Sequence, residues 1–177
     1  MNSRNIYFVG YMGVGKSTIA RAYANRNNLI ATDLDKIIEQ QAAASIREIF
    51  EQKGEAAFRQ IEQKALIDSF KLNNQVIATG GGTPIHFNNM DLMLQHGIVV
   101  YLYLNEGVLY YRLKEKKATR PLIANIDDED LRDFIEKHIS QRKPVYEKAH
   151  FKIDAYPSIR EVCASINSKI NLRFTAS

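Results

Sequence analysis

The chain has 177 residues, 45% of them apolar and 25% charged, with a formal net charge of +4, a composition that fits one soluble globular domain with a core of its own. Leu, Ile, Val and Phe recur along its whole length, which excludes low-complexity disorder and collagen-like repeats, and no window reaches the ~18 consecutive apolar residues of a membrane helix. The basic residues are scattered apart from Arg112–Arg120, so the charge points to an anionic small molecule rather than to nucleic acid.

Ile6–Val9 is an apolar run that reads as a buried strand and is too short for a signal-peptide core, which predicts a cytoplasmic protein. Directly after it, Gly10-Tyr11-Met12-Gly13-Val14-Gly15-Lys16-Ser17 fits G-x-x-x-x-G-K-[ST] and leads into a helical stretch. In such a loop, glycines let successive N–H groups turn toward phosphate oxygens. Lys16 reaches the β and γ phosphates, and the Ser17 hydroxyl is placed for Mg2+. Leu29–Thr32 is a weaker strand that ends in Asp33-Leu34-Asp35. Carboxylates at i and i+2 of a strand end can face one ligand crevice, one supporting Mg2+ and the other an acceptor hydroxyl. Alternatively, Asp33 or Asp35 caps a helix over Lys36–Gln41.

Ser45-Ile46-Arg47-Glu48 is a capping box, Gly54 marks a helix stop, and Phe58, Ile61, Ala65, Leu66 and Phe70 follow at helical spacing. On that helix Glu62 stands three residues after Arg59, where it either holds the Arg59 fork toward a target or forms a solvated surface pair. Val76–Ala78 is the next strand. It runs into Thr79-Gly80-Gly81-Gly82-Thr83-Pro84, which is either a ligand-approach site or a flexible turn. Gly97 marks another helix stop before the strand Ile98–Leu104. The aperiodic basic stretch from Arg112 to Leu122 reads as a mobile loop closing over an anion, with Arg120 stiffened by Pro121, or else as a solvated charge run. Arg142 lies just before the helix-disturbing Pro144, Phe151–Ile153 is a last buried strand, and Ser158-Ile159-Arg160-Glu161 is a second capping box. The lone Cys163 fits a reducing compartment and a small buried position of a late helix. The tail after Asn171, which carries Phe174, reads as disordered or as an expression remnant.

Alternating strands and helices predict βαβ crossovers, and so a three-layer α/β (αβα) domain with a parallel sheet. A single domain over residues 1–177 is expected, with a core of 5–110 and 125–172 and a lid at about 112–125.

Assembled in this order and spacing, the P-loop, Asp33-Leu34-Asp35, Phe58-Arg59, Gly80-Gly81-Gly82, Arg120-Pro121-Leu122 and Arg142-x-Pro144-x-Tyr146 resemble the shikimate kinase family. That resemblance implies a P-loop, nucleoside-monophosphate-kinase-like fold with a five-stranded parallel sheet. It also implies transfer of phosphate from ATP to the 3-hydroxyl of shikimate, with Mg2+ as cofactor. A monomer with no nucleic-acid or membrane partner is expected on other grounds: no long apolar stripe is left over, the basic charge is scattered, and no apolar window is long enough for a membrane helix. By the same resemblance, Lys16 and Arg120 stabilise the transferring phosphoryl, and Asp35 orients or deprotonates the acceptor hydroxyl. Gly13, Val14, Gly15, Lys16, Ser17, Thr18, Arg120 and Arg112 hold the nucleotide, and Ser17 and Asp33 hold the metal. Arg59 and Arg142 grip the substrate carboxylate, and Gly80, Gly81 and Gly82 give backbone contacts. The family's adenine partners correspond only loosely to Arg112 and the segment Tyr156–Ser158.

Competing readings make different demands. A gluconate kinase needs neither two arginines nor a triple glycine at these positions, and a nucleoside monophosphate kinase carries a longer lid. A nucleotide-dependent switch requires a water-positioning residue that the sequence does not offer.

Overall fold

The computed structural model describes residues 5–117, 120 and 122–175. Five strands, β1 (Asn5–Val9), β2 (Ile30–Asp33), β3 (Gln75–Ala78), β4 (Gly97–Tyr103) and β5 (Phe151–Asp154), form one sheet in the order β2-β3-β1-β4-β5. Every pairing is parallel. The helices are α1 (Lys16–Arg26), α2 (Leu34–Ala42), α3 (Ile46–Ser69), α4 (Asn89–His96), α5 (Glu106–Lys114), α6 (Leu131–Tyr146) and α7 (Ile159–Thr175), with a short 3₁₀ turn at Thr83–Ile85. The central strands β1, β3 and β4 are buried almost throughout, as continuous apolar runs in a parallel sheet should be. β1 and β4 approach so closely that a Cβ on Gly97 would stand 2.4 Å from the Asn5 carbonyl oxygen.

Both capping boxes form. Ser45 and Glu48 close the start of α3, and Ser158 and Glu161 that of α7. Gly54 interrupts α3 with φ 78°, so Glu55 opens a second helical segment. Gly97 ends α4, and Cys163 is fully buried.

Several expectations need correction. β5 is an edge strand in which only Ile153 is buried, because no further strand covers its outer side. The weaker strand, β2, forms the opposite edge, with Ile30 60% exposed. α2 starts at Leu34 rather than Lys36, since Asp33 supplies the cap by accepting from the Asp35 N–H. Arg112–Lys114 are helical, not loop: Leu109 and Leu113, four residues apart, bury one face of α5. The helix α6 also runs through Pro144 to Tyr146, the missing N–H affecting only its last turn. The tail after Asn171 is helical rather than disordered, since α7 continues to Thr175; Ala118, Thr119, Pro121, Ala176 and Ser177 lie outside the described residues, as do the side chains of Arg173, Phe174 and Thr175.

Candidate active site

The carboxyl ends of β1, β2 and β3 converge on one crevice, as the parallel topology requires. Between β1 and α1 the loop turns through Gly10, Gly13 and Gly15, with φ of 139°, 83° and 102°. These angles favour glycine, and at Gly10 a Cβ would also stand 2.2 Å from the Leu102 carbonyl oxygen. Lys16 is buried at the start of α1. Its Nζ donates to the carbonyls of Gly10 (2.8 Å) and Tyr11 (3.0 Å). Burial lowers its pKa to about 8, opposed in part by the negative charges of Asp35 and Asp33.

A cleft of about 580 Å³ runs over this loop, lined by Gly13, Val14, Gly15, Lys16, Ser17, Thr18, Asp35, Gly80, Gly81 and Arg120. Arg112, Glu115, Lys116, Ala155, Pro157 and Ile159 line it as well. Arg112, which donates to the Val14 carbonyl at 3.3 Å, and Pro157, from the segment Tyr156–Ser158, line the same cleft. The Arg120 Nε is buried and has no hydrogen-bond partner among the described residues. Burial lowers the pKa of this guanidinium despite the opposing pull of Asp35 and Tyr11. A desolvated cationic donor without a partner, beside a phosphate-type loop, is matched by an anion entering the cleft.

A second cavity of about 280 Å³ adjoins the first and shares Met12, Asp35, Gly80 and Gly81 with it. The Asp35 carboxylate thus stands where the two spaces meet. Burial and the neighbouring carboxylates Asp33 and Glu62 raise its pKa to about 6, against the pull of Lys16. Asp33 takes a different place. Besides capping α2, it lines a pocket of about 170 Å³ with Ser17, Thr32 and Lys36, outside the main cleft.

The second cavity is lined by Ile46, Phe50 and Phe58 on one side, by Arg59 and Arg142, and by Leu122 from the segment after Arg120. Arg59 and Glu62 are 7% and 1% exposed at the side chain, so the surface-pair alternative does not apply. Arg59 Nη1 donates to Glu62 Oε2 at 3.0 Å, and Thr83 Oγ1 donates to Glu62 Oε1 at 2.6 Å. The Arg59 Nε and Nη2 donate to Glu55 Oε1 at 3.2 and 2.9 Å, and the guanidinium carbon lies 5.1 Å from the Phe58 ring centroid.

The triple glycine is needed here for space. A Cβ on Gly82 would stand 2.6 Å from Arg59 Nη1, and one on Gly80 would stand 2.7 Å from Glu62 Oε1 and 3.0 Å from Asp35 Oδ1. Arg142 is buried on α6 with Nη1 3.5 Å from the Gly81 carbonyl, which also accepts a 2.6 Å hydrogen bond from the Tyr146 hydroxyl.

Sequence reasoning did not single out Glu55, Phe50 or the Tyr11–His138 contact. Glu55 was detectable as the i−4 partner of Arg59. The other two arise from tertiary packing that no local spacing encodes.

The comparisons with known proteins agree with this geometry. The family model described as Shikimate kinase matches residues 12–171. A shikimate kinase of Phocaeicola vulgatus is 40% identical over 165 residues, covering 92% of this chain and 94% of that protein. Among solved structures, the shikimate kinase of Bacteroides thetaiotaomicron superposes with a TM-score of 0.89 at 33% identity, covering 95% of this chain and 98% of that one. The Acinetobacter baumannii enzyme in complex with shikimate gives 0.88 at 33% identity, covering 96% and 94%. With its P-loop, its paired cavities and a match along nearly its whole length, this chain belongs to the shikimate kinase family.

Proposed function

We infer that this chain transfers the γ-phosphoryl group of ATP to the 3-hydroxyl of shikimate, giving shikimate 3-phosphate and ADP. The observation that carries this reading is the position of Asp35 at the junction of a phosphate-loop cleft and a cavity holding two buried arginines. ATP lies in the larger cleft, its phosphates against Gly13–Thr18 and its base between Arg112 and Pro157. The acid lies in the smaller one, its carboxylate between Arg59 and Arg142. Two guanidinium forks on one carboxylate fix a small ring firmly enough to align its hydroxyl with the phosphoryl group. Asp35 then orients that hydroxyl and takes its proton, while Lys16 and Arg120 stabilise charge on the phosphoryl oxygens.

Residues 112–125, of which 118, 119 and 121 lie outside the described residues, act as the lid; it begins in the last turn of α5, where Lys114 and, beyond it, Lys117 pair with Asp128 at 3.2 and 2.8 Å. Closure excludes water as a competing acceptor. We take the monomer as the catalytic unit and the cytoplasm, a reducing compartment that suits the lone buried Cys163, as its location. Among the described residues no helix is long and apolar enough to cross a membrane.

The Ser17 hydroxyl and the Asp33 carboxylate are the side-chain oxygens offered to a magnesium ion here, in a pocket that Arg21 and Lys36 also line. Asp33 shares a small pocket with the Ser17 side, and Mg2+ at phosphates takes only one or two protein ligands, the rest being water and phosphate oxygen. Ser17 and Asp33 would hold it. Charge neutralisation across the β and γ phosphates is what Mg2+ supplies when bound. Asp33→Asn keeps an oxygen to cap α2 but loses the charge. Its half-saturating Mg2+ concentration, measured at fixed ATP, is expected to rise about fivefold or more. An unchanged Mg2+ dependence would move the metal away from Asp33.

Lys16 yields a pH prediction. Its pKa of about 8 reflects burial without a phosphate partner, and triphosphate binding raises it toward the ordinary value of about 10.4. ATP binding is therefore expected to take up close to one proton near pH 9 and almost none near pH 7, and to weaken as pH rises above 8. Calorimetry in buffers of different ionisation enthalpy measures the uptake directly, and proton release at pH 9 would contradict it.

The whole assignment is tested by coupled ADP release with ATP and Mg2+, comparing shikimate, gluconate, AMP and no acceptor. Turnover is expected with shikimate alone. A preference for another acceptor would withdraw the roles given to Arg59, Gly81 and Arg142.

A further inference from the structure

The two arginines of the smaller cavity are held very differently. Arg59 is fixed by two carboxylates, Glu55 and Glu62, whereas no carboxylate pairs with Arg142 among the described residues. A long side chain without an ionic anchor needs some other restraint if it is to meet a substrate in one orientation.

The neighbours of Arg142 on its own helix supply one. His138, Arg142 and Tyr146 are spaced i, i+4 and i+8 along α6 and so line one face. Tyr11, a side chain of the phosphate loop only 2% exposed, packs against the first two of them. Its hydroxyl is 2.9 Å from His138 Nδ1, its ring meets the imidazole edge-to-face with centroids 5.5 Å apart, and the Arg142 guanidinium carbon lies 5.9 Å from its ring centroid. Phe134 backs His138 from the preceding turn at 5.0 Å. The same tyrosine presents its backbone carbonyl to Lys16. Tyr11 is thus tied at its main chain to the phosphate-binding lysine and at its side chain to the arginine of the other cavity.

We propose that Tyr11 and His138 are positioning residues for Arg142. The Tyr11–His138 hydrogen bond fixes the ring over which the Arg142 guanidinium is oriented toward the carboxylate of the acceptor, and joins the phosphate loop to the acceptor site. This rests on Arg142 gripping that carboxylate. Burial keeps the phenol protonated and the imidazole neutral, His138 having a pKa of about 4. The contact therefore operates as a neutral hydrogen bond over the working pH range.

The test is steady-state kinetics on Tyr11→Phe, His138→Ala and His138→Asn, with Arg142→Ala alongside. Tyr11→Phe and His138→Ala are expected to raise KM for shikimate about fivefold, with kcat and KM for ATP changed less than about twofold. His138→Asn places an amide oxygen or nitrogen where Nδ1 stood and is expected to restore KM to within about twofold of the parent. Lower thermal stability with unchanged kinetic constants would overturn the proposal, as would an equal rise in KM for ATP, which would place Tyr11 with the nucleotide. If Arg142→Ala itself left KM for shikimate unchanged, the reading beneath the proposal would fall. If Arg142→Ala raised it and the Tyr11 and His138 variants did not, only the positioning role would.

Discussion

Arg142→Ala is expected to lower kcat/KM for shikimate by about 10²–10⁴-fold while the Kd for ATP changes less than about twofold, because a desolvated carboxylate loses one of its two charge-assisted partners. Arg142 is the cleaner of the two arginines to remove. It lies in the smaller cavity, does not line the nucleotide cleft, and has no carboxylate that its loss would strand among the described residues. Arg59→Ala, by contrast, would leave Glu62, 1% exposed, without its guanidinium, a change that threatens the fold before it informs on binding. Product formation with shikimate and nucleotide binding by calorimetry, measured on the same Arg142→Ala preparation, separate the two sites. A parallel loss of ATP affinity would show that the arginine belongs to the phosphates instead.

The parts of this arrangement that were legible in the sequence are those whose chemistry forces a local pattern. A phosphate loop needs glycines at fixed offsets, so Gly10, Gly13 and Gly15 announce the turn and Lys16-Ser17 its ligands. The alternation of apolar runs with helical periodicity fixed the class of the sheet, and the capping boxes at Ser45 and Ser158 formed as read.

What spacing cannot carry is burial. Arg59 and Glu62 have the i, i+3 signature of a surface pair, and it is Gly82 and Thr83, brought in from the segment after β3, that make it an interior one. The apolar character of Phe151–Ile153 says that a strand forms but not that it ends the sheet, which depends on where the other four strands lie. Likewise Arg112 and Lys114 hide the α5 periodicity, because charges on its outer face outnumber the two leucines that bury. The Tyr11–His138 contact joins residues 127 apart in sequence and leaves no local trace at all.

The second large effect concerns Asp35, where activity and stability are expected to move in opposite directions. Asp35→Asn keeps an oxygen that accepts from the acceptor hydroxyl but cannot take its proton, so kcat is expected to fall by about 10²-fold or more. In the parent enzyme, kcat/KM for shikimate is expected to decline as pH falls through about 6, since the carboxylate must be charged to act. The same raised pKa has a cost in the protein free of ligand and metal. Burial and the charges of Asp33 and Glu62 disfavour the carboxylate in the folded state, so the folded chain holds this proton more tightly than the unfolded one. Below about pH 4 both states are protonated and the effect vanishes. Above about pH 6 it is complete, amounting to at most about 3 kcal/mol from a rise of the pKa from 3.8 to about 6. Asp35→Asn removes the charge, so the variant is expected to be more stable than the parent at pH 8, by several degrees in Tm, and no more stable at pH 4. Thermal unfolding at the two pH values, beside turnover at pH 8, checks both halves. A variant that lost activity and stability together would show Asp35 to be structural support, and one that kept its turnover would show that the hydroxyl proton leaves without it.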